Sequence, residues 1–330
     1  MQNWFPLISF AVTVALLELL LRTRLLQHVR DIPNHRSLHV HPVPRTGGIA
    51  LLAGAAVGFG FLNQPDILYL CLPVVLLVGV SFLDDSYGLL PKWRFLAHLI
   101  AAVLFVALGL PSVATLFFQI LLVLAVTWMI NLYNFMDGSD GLAGGMAVIG
   151  FSVYGLGGLL GGVHELAMVS FCIAAAAAGF LIYNFHPAKI FLGDAGSIPL
   201  GFLAAAIGLL GWEKGAWPLW FPALVFSPFL VDATLTLSKR LIRGERIWMA
   251  HKEHYYQLLV QVGFGHRRTA LFEYILMLAV GISALWGCSR STVEQYGILV
   301  IWGGVYWLLV ISLKRLQFKL RPGALHHVQK

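Results

Sequence analysis

Residues 114–145 read ATLFFQILLVLAVTWMINLYNFMDGSDGLAGG. No charged side chain interrupts the run until Asp137. About 20 apolar residues in a helix cross the hydrocarbon layer of a bilayer, so this stretch reads as a transmembrane helix with a polar end. Asn131, Asn134 and Asp137 are spaced by three, which puts them on one helix face. Asp140 extends the spacing and shares that face if the helix continues. The glycines Gly138 and Gly141 would instead break the helix there.

The rest of the chain has the same character. Of its 330 residues, 59% are hydrophobic and 11% charged, against about 25% charged in ordinary soluble domains. The apolar content also excludes a disordered chain. The same length criterion gives about eleven spans, at 3–21, 47–62, 67–83, 95–110, 114–133, 142–161, 166–184, 197–211, 217–238, 269–287 and 295–313. The second and eighth are short. The fold class is therefore all-α: a polytopic transmembrane helix bundle forming a single domain over 1–330, with a long polar loop at 239–268.

The formal net charge of +7 follows this topology. With the N-terminus outside, every Lys and Arg except Lys214 and Arg290 falls on the other side, and positive charge marks the cytoplasmic face. That sorting places the C-terminus in the cytoplasm and leaves no surplus of cations to suggest a nucleic-acid partner. The first span lacks a basic leader, so it does not read as a cleaved signal peptide. Cys71, Cys172 and Cys288 form no CxxC pair, which suggests neither a disulfide framework nor a thiolate metal site.

Asp84, Asp85, Asp137, Asp140 and Asp194 all fall at cytoplasmic span ends, in the loops FLDDSYGL, NLYNFMDGSDGLAGG and NFHPAKIFLGDAGS. Asp232 lies just inside the same end of the ninth span. Each Asp taken singly reads as a helix cap. Three Asp-and-Gly loops on one membrane face read as one site, where carboxylates would gather around a hard divalent cation, Mg²⁺ or Mn²⁺. Gly193 and Gly196 flank Asp194 and permit close backbone approach, and Ser197 can cap the following helix. Arg36, His39, His41 and Arg45 in the first loop, and His251 and His254 in WMAHKEHYYQLL, supply donors suited to phosphate oxygens. No HExxH or suitably spaced third ligand supports zinc. Glu18 and Glu273, inside spans, receive no role.

The set PxPRxGGxA, LDDxxGL, NxxNFMDGxDGLAGG and NFxPAKIFLGDAGS resembles the polyprenyl-phosphate N-acetylhexosamine-1-phosphate transferases, over about residues 31–258. The resemblance implies a polytopic enzyme of the bacterial inner membrane, with its active site on the cytoplasmic face. Such enzymes use Mg²⁺ or Mn²⁺ to move a sugar-1-phosphate from a UDP-N-acetylamino sugar to undecaprenyl phosphate, releasing UMP. It implies Asp84 and Asp85 as the pair acting on the lipid phosphate, Asp194 with Asp137 and Asp140 as metal residues, and Asn134 in nucleotide binding. Arg45, His251, His254, Asn131 and Lys189 complete the expected substrate contacts. The HKEH spacing, followed by Tyr255-Tyr256-Gln257, departs from the His-x-His clusters of the cell-wall branch. It resembles the branch that initiates O-antigen and related lipopolysaccharide glycans from UDP-N-acetylfucosamine or quinovosamine. No motif specifies a homodimer. The competing reading is a nucleotide-sugar or lipid-linked-sugar transporter, which would place its charges near the midplane in broken, repeated helices.

Overall fold

The computed structural model describes residues 4–23, 30–31, 42–60, 66–246, 249 and 251–320. Arg36, His39 and His41 lie outside the described residues. Among the described residues, nine helices are long and apolar enough to cross a membrane. They are α1 (Phe5–Thr23), α3 (Asp66–Tyr87), α4 (Pro91–Gly109), α5 (Leu116–Phe135), α6 (Leu142–Leu160), α7 (His164–Asn184), α8 (Asp194–Glu213), α12 (Gly265–Cys288) and α13 (Thr292–Leu320). Apart from the two-residue pair β1 (Arg30–Asp31) and β2 (Val43–Pro44), which is antiparallel, the described architecture is helical.

Three of the expected spans differ from the sequence reading. The second is α2 (Gly47–Gly60), only 14 residues, about 21 Å at 1.5 Å per residue. Its small residues seat it against α1: a Cβ on Gly54 or Gly58 would strike the hydroxyls of Thr13 or Ser9. The eighth is longer than expected, at 20 residues. Gly193, at φ 71°, starts it one turn early, and Asp194 then occupies the first turn, where a carboxylate suits the positive helix end. The ninth is broken into α9 (Trp220–Val225) and α10 (Ser227–Ile242). Pro222 and Pro228 each remove a backbone donor there, and Pro228 sits at the permitted start of α10.

Helix α8 runs through the middle of the bundle, and nearly all of it is buried. Phe202 meets Phe105 of α4 edge-on, with ring centroids 5.7 Å apart. Tyr154, Trp217, Phe221 and Phe226 form an aromatic knot around the break between α9 and α10. At the end of the bundle where α4 closes and α8 finishes, Glu213 accepts from the Ser112 amide (3.1 Å) and hydroxyl. The opposite end holds the polar loops that carry Asp84, Asp137 and Asp194. Val300, Ile301, Trp307 and Leu308 of α13 are exposed, as apolar side chains facing lipid would be.

Candidate active site

The segment Pro44-Arg45-Thr46-Gly47-Gly48 lies along Phe191-Leu192-Gly193. Phe191 N–H donates to Pro44 O (2.8 Å), Gly47 N–H to Phe191 O (3.0 Å) and Gly48 N–H to Leu192 O (2.9 Å). The glycines make this pairing possible. A Cβ on Gly48 would collide with Gly196, and one on Gly193 with the Arg45 carbonyl. Two motifs about 150 residues apart thus form one backbone unit that points Arg45 toward Asp194 at the start of α8.

Asp84 and Asp85 arrive on the last turns of α3. The Asp84 carboxylate accepts the Leu89 N–H (2.8 Å), and Gly88, at φ 67°, turns the chain toward α4. Arg94 projects from the beginning of α4, a position where the helix dipole disfavours a cation unless anions surround it. They do: Arg94 reaches Asp84 Oδ2 at 3.0 Å with one nitrogen and Asp194 Oδ2 at 2.8 Å with the other. Arg45 bridges Asp194 Oδ1 (3.4 Å) and Asp85 Oδ1 (3.7 Å). The three carboxylates are nearly buried, while both guanidinium groups are about one-third exposed. Burial works against the Arg45 charge, but Asp194, Asp85, Asp31 and Asp137 together hold its pKa above the ordinary value.

Asp137 follows α5 and stands near Asp194. Burial pushes its carboxyl well above the usual carboxylate range, and Asp194 pushes it the same way against Arg45. Its carboxylate has no hydrogen-bond or ion-pair partner among the described residues. Beside it, Ser197 Oγ donates to Asn134 Oδ1 (2.7 Å), tying α8 to α5. One turn deeper, Asn131 donates its amide N–H to Thr127 O (2.7 Å), and its Oδ1 accepts from His98 Nδ1 (3.2 Å).

This donor set suits a hard divalent cation. Among the described residues, no three acidic, His or Cys side chains enclose a metal position. Mg²⁺ does not require that: it takes one or two carboxylates and leaves its other positions to water and phosphate. Asp137, unpartnered among the described residues and next to Asp194, supplies oxygen ligands that fit that pattern.

Asp140 and Lys189 go elsewhere. Because α5 ends at Phe135 and Gly141 (φ 77°) begins α6, the three-residue spacing does not hold Asp137 and Asp140 on one face. The Asp140 carboxylate instead meets His186 Nδ1 (2.7 Å) and the Ala188 N–H (3.2 Å). The His186 ring stacks on His266 from α12, with centroids 5.4 Å apart. Lys189 is exposed and within electrostatic reach of Glu18, outside the Asp194 group.

The histidine loop is docked by Asp232 of α10. Its two oxygens accept the N–H groups of Tyr255 (2.9 Å) and Tyr256 (3.0 Å), which open α11 (Tyr255–Leu259), and His254 Nδ1 lies 3.1 Å away. The Tyr256 hydroxyl donates to Phe135 O (3.1 Å), carrying the loop to the turn before Asp137. His251 and His254 lie with ring centroids 4.8 Å apart. Burial, then His254 and Arg240, bring the His251 pKa down to about 4. Glu253 receives Arg240 and Arg243, each at 2.5 Å.

The structure therefore unites Asp84, Asp85, Asp194 and Arg45, with Asp137, Asn134 and Asn131 alongside and the His251–His254 loop docked next to them. Sequence reasoning missed Arg94, counting it only as a cytoplasmic charge. A cation in the first turn of a helix, nine residues after an acidic residue, was the available signal. It also missed the docking roles of Asp232 and Tyr256.

The family profile described as "Glycosyl transferase family 4" matches residues 67–211. The chain is 32% identical over 304 residues to the probable undecaprenyl-phosphate N-acetylglucosaminyl 1-phosphate transferase of Bacillus subtilis, covering 84% of each protein. It is 32% identical over 308 residues to the decaprenyl-phosphate N-acetylglucosaminephosphotransferase of Mycobacterium tuberculosis, covering 78% of this chain and 74% of that one. With the phospho-N-acetylmuramoyl-pentapeptide-transferase of Staphylococcus aureus it shares 28% over 313 residues, 84% of this chain and 95% of the relative. These alignments span the helices that carry the Asp84, Asp137 and Asp194 loops, and on them the chain belongs to the polyprenyl-phosphate N-acetylhexosamine-1-phosphate transferase family.

Proposed function

We propose that this protein transfers an N-acetylamino-sugar-1-phosphate from a UDP-sugar to undecaprenyl phosphate and releases UMP, at the cytoplasmic face of a bacterial inner membrane. The observation that carries the reading is the pair of arginines, Arg45 and Arg94, bridging Asp84, Asp85 and Asp194 from separate segments at one end of an apolar bundle. A polar site at one end of the helices suits two substrates that meet at the membrane surface. A transporter would keep its charges near the midplane.

Both substrates are anions, so the chemistry is chiefly positioning and charge neutralisation. Asp194 and Asp137 would hold Mg²⁺ or Mn²⁺, which neutralises diphosphate charge and polarises phosphorus. Arg45 and Arg94 exchange their carboxylate partners for phosphate oxygens, as guanidinium forks do readily. Asp84 and Asp85, freed in that exchange, orient the lipid phosphate. An oxygen of that phosphate attacks the sugar-bearing phosphorus in line. The new P–O bond forms as the P–O bond to UMP breaks, and UMP departs with the electron pair. Asn134, held by Ser197, and His251, held neutral, would bind the nucleotide sugar. The O-antigen destination rests on the His251–His254 spacing alone.

Purified protein in detergent, given undecaprenyl phosphate, Mg²⁺ and a panel of UDP-N-acetylamino sugars, is expected to form lipid-linked diphosphate sugar and UMP with no membrane gradient. EDTA should stop the reaction and Mg²⁺ or Mn²⁺ restore it. Release of UDP in place of UMP would show attack at the sugar carbon and overturn the reading.

A further inference from the structure

The His98–Asn131 pair lies below the carboxylate group and takes no part in the proposed transfer. His98 is seven residues into α4, about 10 Å from the helix start at 1.5 Å per residue, and one turn beyond Arg94. It is 3% exposed. A polar side chain at that depth is costly and commonly functional. Its tautomer is set by its neighbour. Asn131 commits its N–H to Thr127 O, so the group facing the imidazole is the acceptor Oδ1, and His98 Nδ1 must carry the hydrogen. Nε2 is then left with a lone pair. No hydrogen bond to it is formed by any described residue. The charged groups within electrostatic reach of His98 are Arg94 on its own helix and Asp194 on α8.

We propose that His98 receives the phosphate of the lipid acceptor as it comes up from the bilayer. Resting on the proposed function, this names a substrate contact for the same site. The depth argues for the lipid rather than the nucleotide sugar, because only an amphiphile presents its phosphate from the hydrocarbon side. A phosphate monoester has a second pKa of about 6, so part of it arrives as the monoanion. Its remaining O–H donates to His98 Nε2, so the imidazole holds the incoming monoanion by one hydrogen bond while its Nδ1–H stays on Asn131. The proton stays on the phosphate, and no covalent bond forms or breaks in this contact.

The test compares H98N with wild type. Asparagine keeps a donor for Asn131 but has nothing at the Nε2 position. Expected is a rise of roughly 10- to 100-fold in KM for undecaprenyl phosphate, the loss of one hydrogen bond to a charged group, with KM for the UDP-sugar and thermal unfolding unchanged. The deficit should be largest below pH 6, where the phosphate carries its proton, and shrink above pH 7. H98Q, which returns an acceptor near the Nε2 position, should recover part of the lipid KM. A wild-type lipid KM in H98N would overturn the proposal, as would equal losses toward both substrates with lowered thermal stability, the mark of a helix staple. Absence of UMP from the wild-type enzyme would instead sink the reading of the whole site.

Discussion

Asp194 and Asp232 are carboxylates at the same end of the bundle, and their partners differ in kind. Asp194 lies between two guanidinium groups, from Arg45 and Arg94, on long stems about one-third exposed. Asp232 lies among the backbone N–H groups of Tyr255 and Tyr256 and the His254 ring, all buried. Long side chains can swing from a carboxylate to a phosphate at little cost. Backbone donors cannot leave Asp232 without unwinding the start of α11. On the proposed function, the first region is a set of charges that exchanges partners with substrate, and the second is a fastening that stays in place. The fastening brings His251, His254 and Tyr256 to the turn before Asp137.

The largest effect should come from D194N. It keeps the shape and removes the charge that both arginines share, and UMP release should fall on the order of 10²–10³-fold, comparable to losing one transition-state contact. Thermal unfolding should stay near wild type, because the carboxamide keeps the shape and each arginine retains a carboxylate, Asp85 for Arg45 and Asp84 for Arg94. Near-normal turnover by folded D194N would erase the contrast. D232N should be milder in turnover and harsher in stability. It turns one oxygen into an N–H donor facing a backbone N–H, at about 1–3 kcal/mol, so hydrogen exchange at Tyr255–Leu259 should quicken while the rest of the bundle stays protected. Unaltered protection of those amides would show that Asp232 does not fasten the loop.

The smallest effect is one of pH. His251 is held near 4 against an ordinary 6.5, chiefly by burial, so it is neutral when the loop is docked. A depressed pKa gives stability that is complete above the unfolded value and is lost as protons bind. Docking should therefore weaken as the pH falls from 6.5 toward 4, visible as faster exchange at the same amides. H251N should flatten that dependence, and a wild-type profile in H251N would assign the pH sensitivity to another group.

Much of this was legible in the chain. Uncharged runs such as 114–133 located the helices to within a few residues, because an apolar segment of that length is stable only across the bilayer. The polar interruptions at Asp84–Asp85, Asn131–Asp137 and Asp194 stood out for the same reason. Other features were not legible. Arg94 is one of 22 Lys and Arg, and its partner Asp194 lies 100 residues away, so no spacing rule joins them. The spacing of Asp140 left two outcomes, a continued stripe or a break at Gly138 and Gly141; α5 stops at Phe135, and the Asp140 carboxylate turns to His186. Pro222 and Pro228 were visible, yet the apolar run around them concealed the break between α9 and α10.

Sequence by itself determined that this chain lives in a membrane as a helical bundle, and that its acidic residues gather at helix ends. Hydrophobicity and length are properties of single segments, which need no neighbours to be read. Tertiary structure alone decided which carboxylates share a guanidinium, which one has no partner among the described residues beside Asp194, and that His98 meets Asn131. Those are distances between side chains on different helices, set by close packing at small residues such as Gly48 and Gly196, and no local rule carries them.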